Sequence, residues 1–292
     1  MANLRDVRLG MKAISQTLQV TKAMKLISTS KLRKGRLLLQ DVEPYFNRIQ
    51  KTMSNLLRGS GPVDSPYLKK DGKGRTAIIV VTSDKGLAGG YNAGVFHYVQ
   101  NMCETTRNPV LIIVGEVGQR YFINSEYIVL ENFTFNSRVP TIEDAQYLAD
   151  YALSQFNWGV FSEVRIVYTH MYNALKLLPC DREIMPLDEK KITAASNLED
   201  ASVPASNFEY IPSAEAVFDA LAPLYVKGVI YGCLVEAYAS EQSARMSAMD
   251  QASRNADDML AEKMLYYNRV RQAGITQEVT EIVSGSAALS TN

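Results

Sequence analysis

The stretch AYASEQSARMSAMDQASRNADDML, residues 237–260, places Ala244, Ala248, Ala252 and Ala256 four residues apart. On a helix that step gives one flat face of small side chains, where a second backbone can approach closely. No proline interrupts it, and the same pattern continues from about Ser213 to Ser284. Ser213 can cap the start, with Glu215 in the first turn against the helix dipole; Pro223 should disturb an early turn. Seventy helical residues at 1.5 Å each would run on the order of 105 Å. A helix of that length cannot bury itself against a small domain and needs a partner along its flank.

The other end of the chain supplies one. Leu4, Val7, Met11, Ile14 and Leu18 alternate steps of three and four, the seam of a coiled coil. A second register at Val42, Ile49 and Leu56, with Phe46 and Met53 between, extends the helix from Asn3 to Leu57. Gly35 and Pro44 interrupt the pattern, and a bend is expected near Pro44. The alternative, that each terminal segment breaks into shorter bundle helices, stays open on pattern alone. Arg58 to Gly74 is rich in glycine and reads as a loop.

Between the helices the period changes. Ala77–Val81, Val110–Val114 and Val164–Thr169 are short apolar β-branched runs, and Tyr127–Phe133 is a weaker fourth. Helical candidates lie between them at Ala93–Glu104, Glu116–Asn124 and Thr141–Asn157. Strands buried on both faces that alternate with helices imply a mostly parallel α/β layer. Lys190 to Asn207 reads as a loop. The expected divisions are 1–58 for the N-terminal coiled-coil helix, 75–207 for the α/β domain and 208–292 for the C-terminal helix.

Composition narrows the chemistry. Thirty-one basic residues balance thirty-one acidic ones, so net charge selects no partner. Three separated cysteines (Cys103, Cys180, Cys233) and two histidines (His97, His170) offer neither a disulfide framework nor ligands at metal spacing. The apolar stretch Tyr225–Ala239 is interrupted by Lys227 and Glu236, short of the roughly 18 residues of a membrane span. No secretory signal is evident at the N-terminus. No paired carboxylates or Cys/His couple stand out, which moves the weight toward a transmitting role.

Two motifs admit rival readings. Ser83-Asp84-Lys85-Gly86-Leu87-Ala88-Gly89-Gly90-Tyr91-Asn92 lies where a doubly wound fold would hold a phosphate, yet matches neither a dinucleotide fingerprint nor a P-loop. A glycine turn reversing the first strand onto its helix is the better account; Glu116 as a ribose carboxylate is coincidence-grade. Thr21 to Arg36 holds Lys22, Lys25, Lys31, Arg33, Lys34 and Arg36 with no acid. It reads as a solvated face, a nucleic-acid footprint without stacking aromatics, or a collar for an acidic protein surface.

Three motifs together resemble the gamma subunit family of F-type ATP synthases. They are Thr21–Ile27 with Ser30–Arg33, the Ser83–Asn92 turn with Ala88 where cysteine is common, and Ala239–Asp250 continuing through Tyr267–Asn268–Arg269 to Val283. The resemblance covers essentially the whole chain. It implies an antiparallel coiled coil of the terminal helices plus a Rossmann-like α/β foot domain, acting as a non-catalytic rotor shaft without cofactors. Implied partners are the alpha and beta subunits of the catalytic ring, the epsilon subunit and the membrane rotor (c) ring. By the same resemblance Arg271, Gln272 and Thr276 match positions that contact a beta loop, with Met24 as the partnering position on the other helix. Lys25, Lys31 and Arg33 belong to a collar facing acidic beta loops. The chloroplast-type thiol switch is not implied, and the cytoplasmic face of a bacterial membrane is the expected location.

Overall fold

The computed structural model describes residues 4–69, 72–134, 138–173, 176–195 and 210–290. Both terminal segments are continuous helices: α1 spans Leu4–Gly59, and α6 spans Ala214–Ser290. Each runs through its internal proline, Pro44 in α1 and Pro223 in α6. The break into short bundle helices does not occur. The chain divides into two compact units, Thr29–Arg245 on the one hand and Met1–Ser28 with Met246–Asn292 on the other. The expected boundaries at 58 and 75 fall at the ends of elements, and the one at 208 lies outside the described residues. By packing, the division passes through both helices instead, because their inner halves are part of the sheet unit's core.

In that unit five strands lie in the order β3-β2-β1-β4-β5. They are β1 (Arg75–Val81), β2 (Pro109–Val114), β3 (Ile128–Phe133), β4 (Phe161–Met171) and β5 (Leu177–Met185). The first four are parallel and β5 runs antiparallel beside β4. Helices α2 (Tyr91–Thr105), α3 (Glu116–Phe122) and α4 (Ile142–Asn157) make the crossovers. Alternation along β1 assigns the two faces. Ile78 and Val80 pack with Val95 and Val99 of α2 and Phe122 of α3. Ala77, Ile79 and Val81 face Leu148 and Ala152 of α4, with Met53 of α1 and Phe218 of α6 in the same core. Burial on both faces is why these strands read as unbroken apolar runs. α4 starts at a capping box, Thr141 accepting from the Asp144 amide while Asp144 accepts from the Thr141 amide.

Two elements depart from the expectations. β5 has no counterpart among the apolar runs, because as an antiparallel edge strand it carries Asp181, Arg182 and Glu183. The expected loop from Lys190 to Asn207 begins as helix α5, Glu189–Ala195, and its remainder lies outside the described residues. α6 also contains an 18-residue window apolar enough to cross a membrane, half of it buried inside the protein. Phe218, Ala222, Val226, Ile230 and Leu234 of this helix are core residues of the sheet unit, which accounts for that apolarity.

Within the sheet unit α1 and α6 approach closely at Gly228. A Cβ there would lie 2.6 Å from Phe46 Cγ and nearer still to Cδ1. Gly228→Ala should cost about 1–2 kcal/mol net, overpacking of roughly 1–3 kcal/mol offset partly by alanine's better helix propensity. Gly232, one turn on, has nothing within 4 Å of the same position. Gly232→Ala should therefore be neutral or stabilising, and paired urea titrations of the two variants check the contrast.

Candidate partner-contact surfaces

In a doubly wound sheet the ligand crevice opens beyond the carboxyl ends of the strands, where the strand order reverses. Here that point lies between β1 and β4, and the chain fills it with its own helix α6. Tyr91, the first residue of α2, is buried and its hydroxyl donates to Ala237 O at 3.2 Å. Ser240 Oγ donates to Thr169 O at 2.8 Å. Arg245 Nη2 donates to Lys85 O at 2.8 Å and Gly86 O at 3.2 Å, and its Nη1 donates to Glu241 Oε1 at 2.5 Å. The place where a dinucleotide would sit is occupied. A recess lies at the other end of the sheet, at the amino ends of β1 and β4, lined by Asp64, Lys69, Lys73 and Phe161.

The glycine turn is wired from within. Asn92 Oδ1 accepts from the Ser83 amide at 3.1 Å, Asn92 Nδ2 donates to Ser83 Oγ at 2.7 Å, and Ser83 Oγ donates to Lys85 O at 2.9 Å. Asp84 Oδ1 accepts from the Glu116 amide at 3.2 Å, and Glu116 pairs with Arg120 rather than facing a ribose site. Glu241 and Arg245 keep only 12% and 9% of their side-chain surface, so the pair is a buried charge couple. Burial raises the Glu241 carboxyl above the usual carboxylate range, and the Arg245 guanidinium opposes that shift.

In the second unit the termini pair antiparallel. Lys25 meets Asp250 at 2.5 Å, Ser253 Oγ donates to Thr21 Oγ1 at 2.8 Å, Lys22 meets Asp257 at 3.3 Å, and Arg8 Nη2 donates to Tyr267 Oη at 2.9 Å. The pairs run from Arg8 with Tyr267 to Lys25 with Asp250, the signature of antiparallel helices. The buried hydroxyl pair Thr21–Ser253 sits in a seam that also buries Leu18, Met249 and Ala256; such polar positions favour one register over its neighbours. The bond from Lys25, ahead of burial effects, holds the Asp250 carboxyl below the ordinary carboxylate range.

These contacts redistribute the residues singled out in the sequence. Lys25 is engaged with Asp250 and Lys22 with Asp257, so two of the six basic residues of the band are paired inside the chain. Lys31 is half-buried within electrostatic reach of Glu241, and Arg33 is exposed. Arg271, Gln272 and Thr276 are all exposed, with Thr276 Oγ1 donating to Gln272 O at 2.9 Å. Met24 is half-buried at the level of Asp250, roughly 30 Å along the helix from Arg271. The structure thus does not bring Met24 to the Arg271–Thr276 group. Extending the Arg8–Tyr267 register puts Leu4 near Arg271, so α6 continues past the described end of α1. There Ile275, Val279, Ile282 and Val283 are exposed at 52–71%. Sequence reading quoted Glu241 and Arg245 within a motif without assigning them a role; a buried charge couple is visible only once two helices and a turn meet. Among the described residues no group of three metal-ligating side chains occurs, and the three thiols are free, with burial pushing Cys233 up to about 12.

The family model described as ATP synthase matches residues 3–289. The ATP synthase gamma chain of Acetivibrio thermocellus is 39% identical over 99% of this chain and all of its own length. That of Ruminiclostridium cellulolyticum is 40% identical over 98% of this chain and 99% of its own. Among solved structures, a chain of the Euglena gracilis mitochondrial ATP synthase (OSCP/F1/c-ring) superposes with a TM-score of 0.67 at 17% identity, covering 98% of this chain and 94% of that one. A chain of the Tetrahymena thermophila mitochondrial ATP synthase central stalk and c-ring gives 0.57 at 22% identity, covering 80% and 99%.

Proposed function

Because this chain belongs to the gamma-chain family of ATP synthases, we propose that it is the central rotor shaft of an F-type complex. It turns inside a ring of alpha and beta subunits, which carry the nucleotide chemistry, while the sheet unit engages the epsilon subunit and the membrane rotor ring. The observation that carries the reading is the α6 surface from Arg271 to Val283. It is exposed throughout except at Gly274, and it mixes Arg271, Gln272 and Thr276 with apolar Ile275, Val279 and Ile282. A soluble helix with no partner has no reason to expose so much apolar surface in one stretch.

A shaft of this kind works by population shift. Its faces differ, so each beta subunit meets a different surface, and the bias on each nucleotide site equals the difference in contact free energy between its states. The shaft itself performs no catalysis, which fits a ligand crevice filled by residues 237–245. It sits on the cytoplasmic face of the membrane and is held there through its partners. Arg271, Gln272 and Thr276 meet a beta loop, and Arg33 and Lys31 face acidic beta surface, steering and orienting more than binding.

The test is reconstitution of the full chain with alpha and beta subunits of the same source. Co-elution at about one copy per three alpha–beta pairs, with ATP hydrolysis well above that of the ring alone, is expected for a shaft at the centre of a three-fold ring. A folded chain that does not co-elute would sink the reading. In the assembled, membrane-reconstituted complex, Gln272→Ala should lower proton pumping per ATP by a few-fold without abolishing it, since the coupling energy is spread over many contacts. Complete loss of pumping with hydrolysis intact would refute that distribution.

A further inference from the structure

Two glycines one helical turn apart in α6 meet α1 differently. The ring of Phe46 fills the notch at Gly228, where an added Cβ would lie 2.6 Å from its Cγ. At Gly232 nothing lies within 4 Å of the same position, and a recess of about 350 Å³ opens there between α1, β4 and α6. That volume falls in the range of small-molecule sites. Every residue that lines it belongs to the sheet unit. Asn47 and Gln50 of α1 contribute polar amides to the lining and leave the notch open.

The walls are aromatic and acidic. Phe46 and Tyr231 stand with ring centroids 6.3 Å apart at 43°, and Tyr168 and Tyr225 line the same space. Two carboxylates join them. Glu236 meets His170 Nδ1 through Oε1 and keeps 24% of its side-chain surface, and its Oε2 has no hydrogen-bond partner among the described residues. Glu43 is exposed and pairs with no cation among the described residues. Arg182, exposed on β5, is the one base in the lining, so the acids outnumber it two to one. Electron-rich ring faces and a surplus of negative charge both attract a cation. Val42 and Val229 beside them favour an apolar body attached to it.

We propose that this recess binds a hydrophobic organic cation, an aryl or alkyl ammonium, with its charged head against Glu236 and Glu43 and its apolar body in the open notch at Gly232. Among the described residues no three metal-ligating side chains gather there, which favours an organic cation over a metal ion. The site is built from this chain alone and does not depend on the rotor-shaft reading. Because α1, β4 and α6 all contribute to it, an occupant bridges the three and stabilises the folded chain by mass action.

The probes are three phenols of closely similar shape, titrated into the full chain by calorimetry: meta-hydroxyphenyl trimethylammonium, meta-tert-butylphenol and meta-hydroxybenzenesulfonate. The cation should bind with a Kd about tenfold or more below that of the uncharged tert-butyl compound, the scale of a desolvated cation–π contact. The sulfonate should bind weakest. Glu43→Gln changes an exposed side chain, so it should keep the parent's thermal midpoint while narrowing the preference for the cation about threefold. Gly232→Met should fill the notch, hold or raise the midpoint because methionine is the better helix former, and abolish binding of the cation. Equal affinity for the charged and uncharged probes would overturn the proposal. Tighter binding of the sulfonate would do so too, by assigning the recess to Arg182. Undiminished cation binding in Gly232→Met would put the site elsewhere on the chain, and absence of saturable binding to the parent would leave no site at all; either result refutes the inference. Should Gly232→Met lower the midpoint, Glu43→Gln decides alone, and an unchanged preference there counts against the proposal.

Discussion

Arg245→Ala is expected to destabilise the sheet unit by about 3–5 kcal/mol, the usual cost of leaving one partner of a buried ion pair uncompensated. Arg245 and Glu241 are almost wholly buried, and the guanidinium also satisfies the Lys85 and Gly86 carbonyls. Removing it strands the Glu241 carboxylate and both carbonyls together. Burial already raises the Glu241 carboxyl, and Arg245 is the first-ranked influence holding it down. In the variant the folded-state pKa therefore rises further above the unfolded value. The folded state then binds the proton more tightly, so the loss is smallest below the ordinary carboxylate range and grows as pH rises through the interval between the two values. Urea titrations at several pH values check the trend, and a loss under about 1 kcal/mol at neutral pH would contradict the buried-pair account. Pairing Arg245→Ala with Glu241→Gln should recover part of the stability, because the stranded charge is gone.

Gly115→Ala should cost about 4 kcal/mol, from roughly 2 for the backbone conformation and roughly 2 for the clash. Gly115 joins β2 to α3 with φ +102°, and an added Cβ would lie 2.7 Å from Thr82 Oγ1 and closer still to the Thr82 carbonyl oxygen. The neighbour cannot give way. Thr82 is buried, its amide donates to Val114 O at 2.8 Å, and its hydroxyl donates to the same oxygen at 2.8 Å while accepting from the Gly118 amide at 3.1 Å. Gly159 supplies the control: its φ is +73°, but nothing lies within 4 Å of its added Cβ. Gly159→Ala should show the backbone term alone, about 1–2 kcal/mol. Equal losses at the two positions would mean that the crowding around Thr82 contributes nothing.

Much of the architecture was legible in the residues because it depends on local periodicity. The small-residue step from Ala244 to Ala256 and the apolar seam from Leu4 to Leu18 each specify a helix whatever lies beside them. The apolar runs that became β1, β2 and β4 announce strands covered on both faces. β5 escaped for the converse reason: an antiparallel edge strand bearing Asp181, Arg182 and Glu183 looks like surface until β4 is seen beside it. The family resemblance implies a partner for Lys25, and the structure gives it Asp250, 225 residues away, as a counter-charge within the chain. Family motifs marked Arg271, Gln272 and Thr276, and all three are exposed.

By itself the sequence determined that two helices too long for the domain between them must pack on something, because periodicity and a rise of 1.5 Å per residue are properties of the chain alone. It also determined the family, through motifs that span the chain in order. Only the tertiary structure decided that α6 fills the crevice of the sheet, that Arg245 and Glu241 form a buried couple holding the glycine turn, and that Leu87 is left exposed on a left-handed backbone. Those facts depend on which distant residues meet, and burial, charge pairing and forced dihedral angles arise only from that meeting.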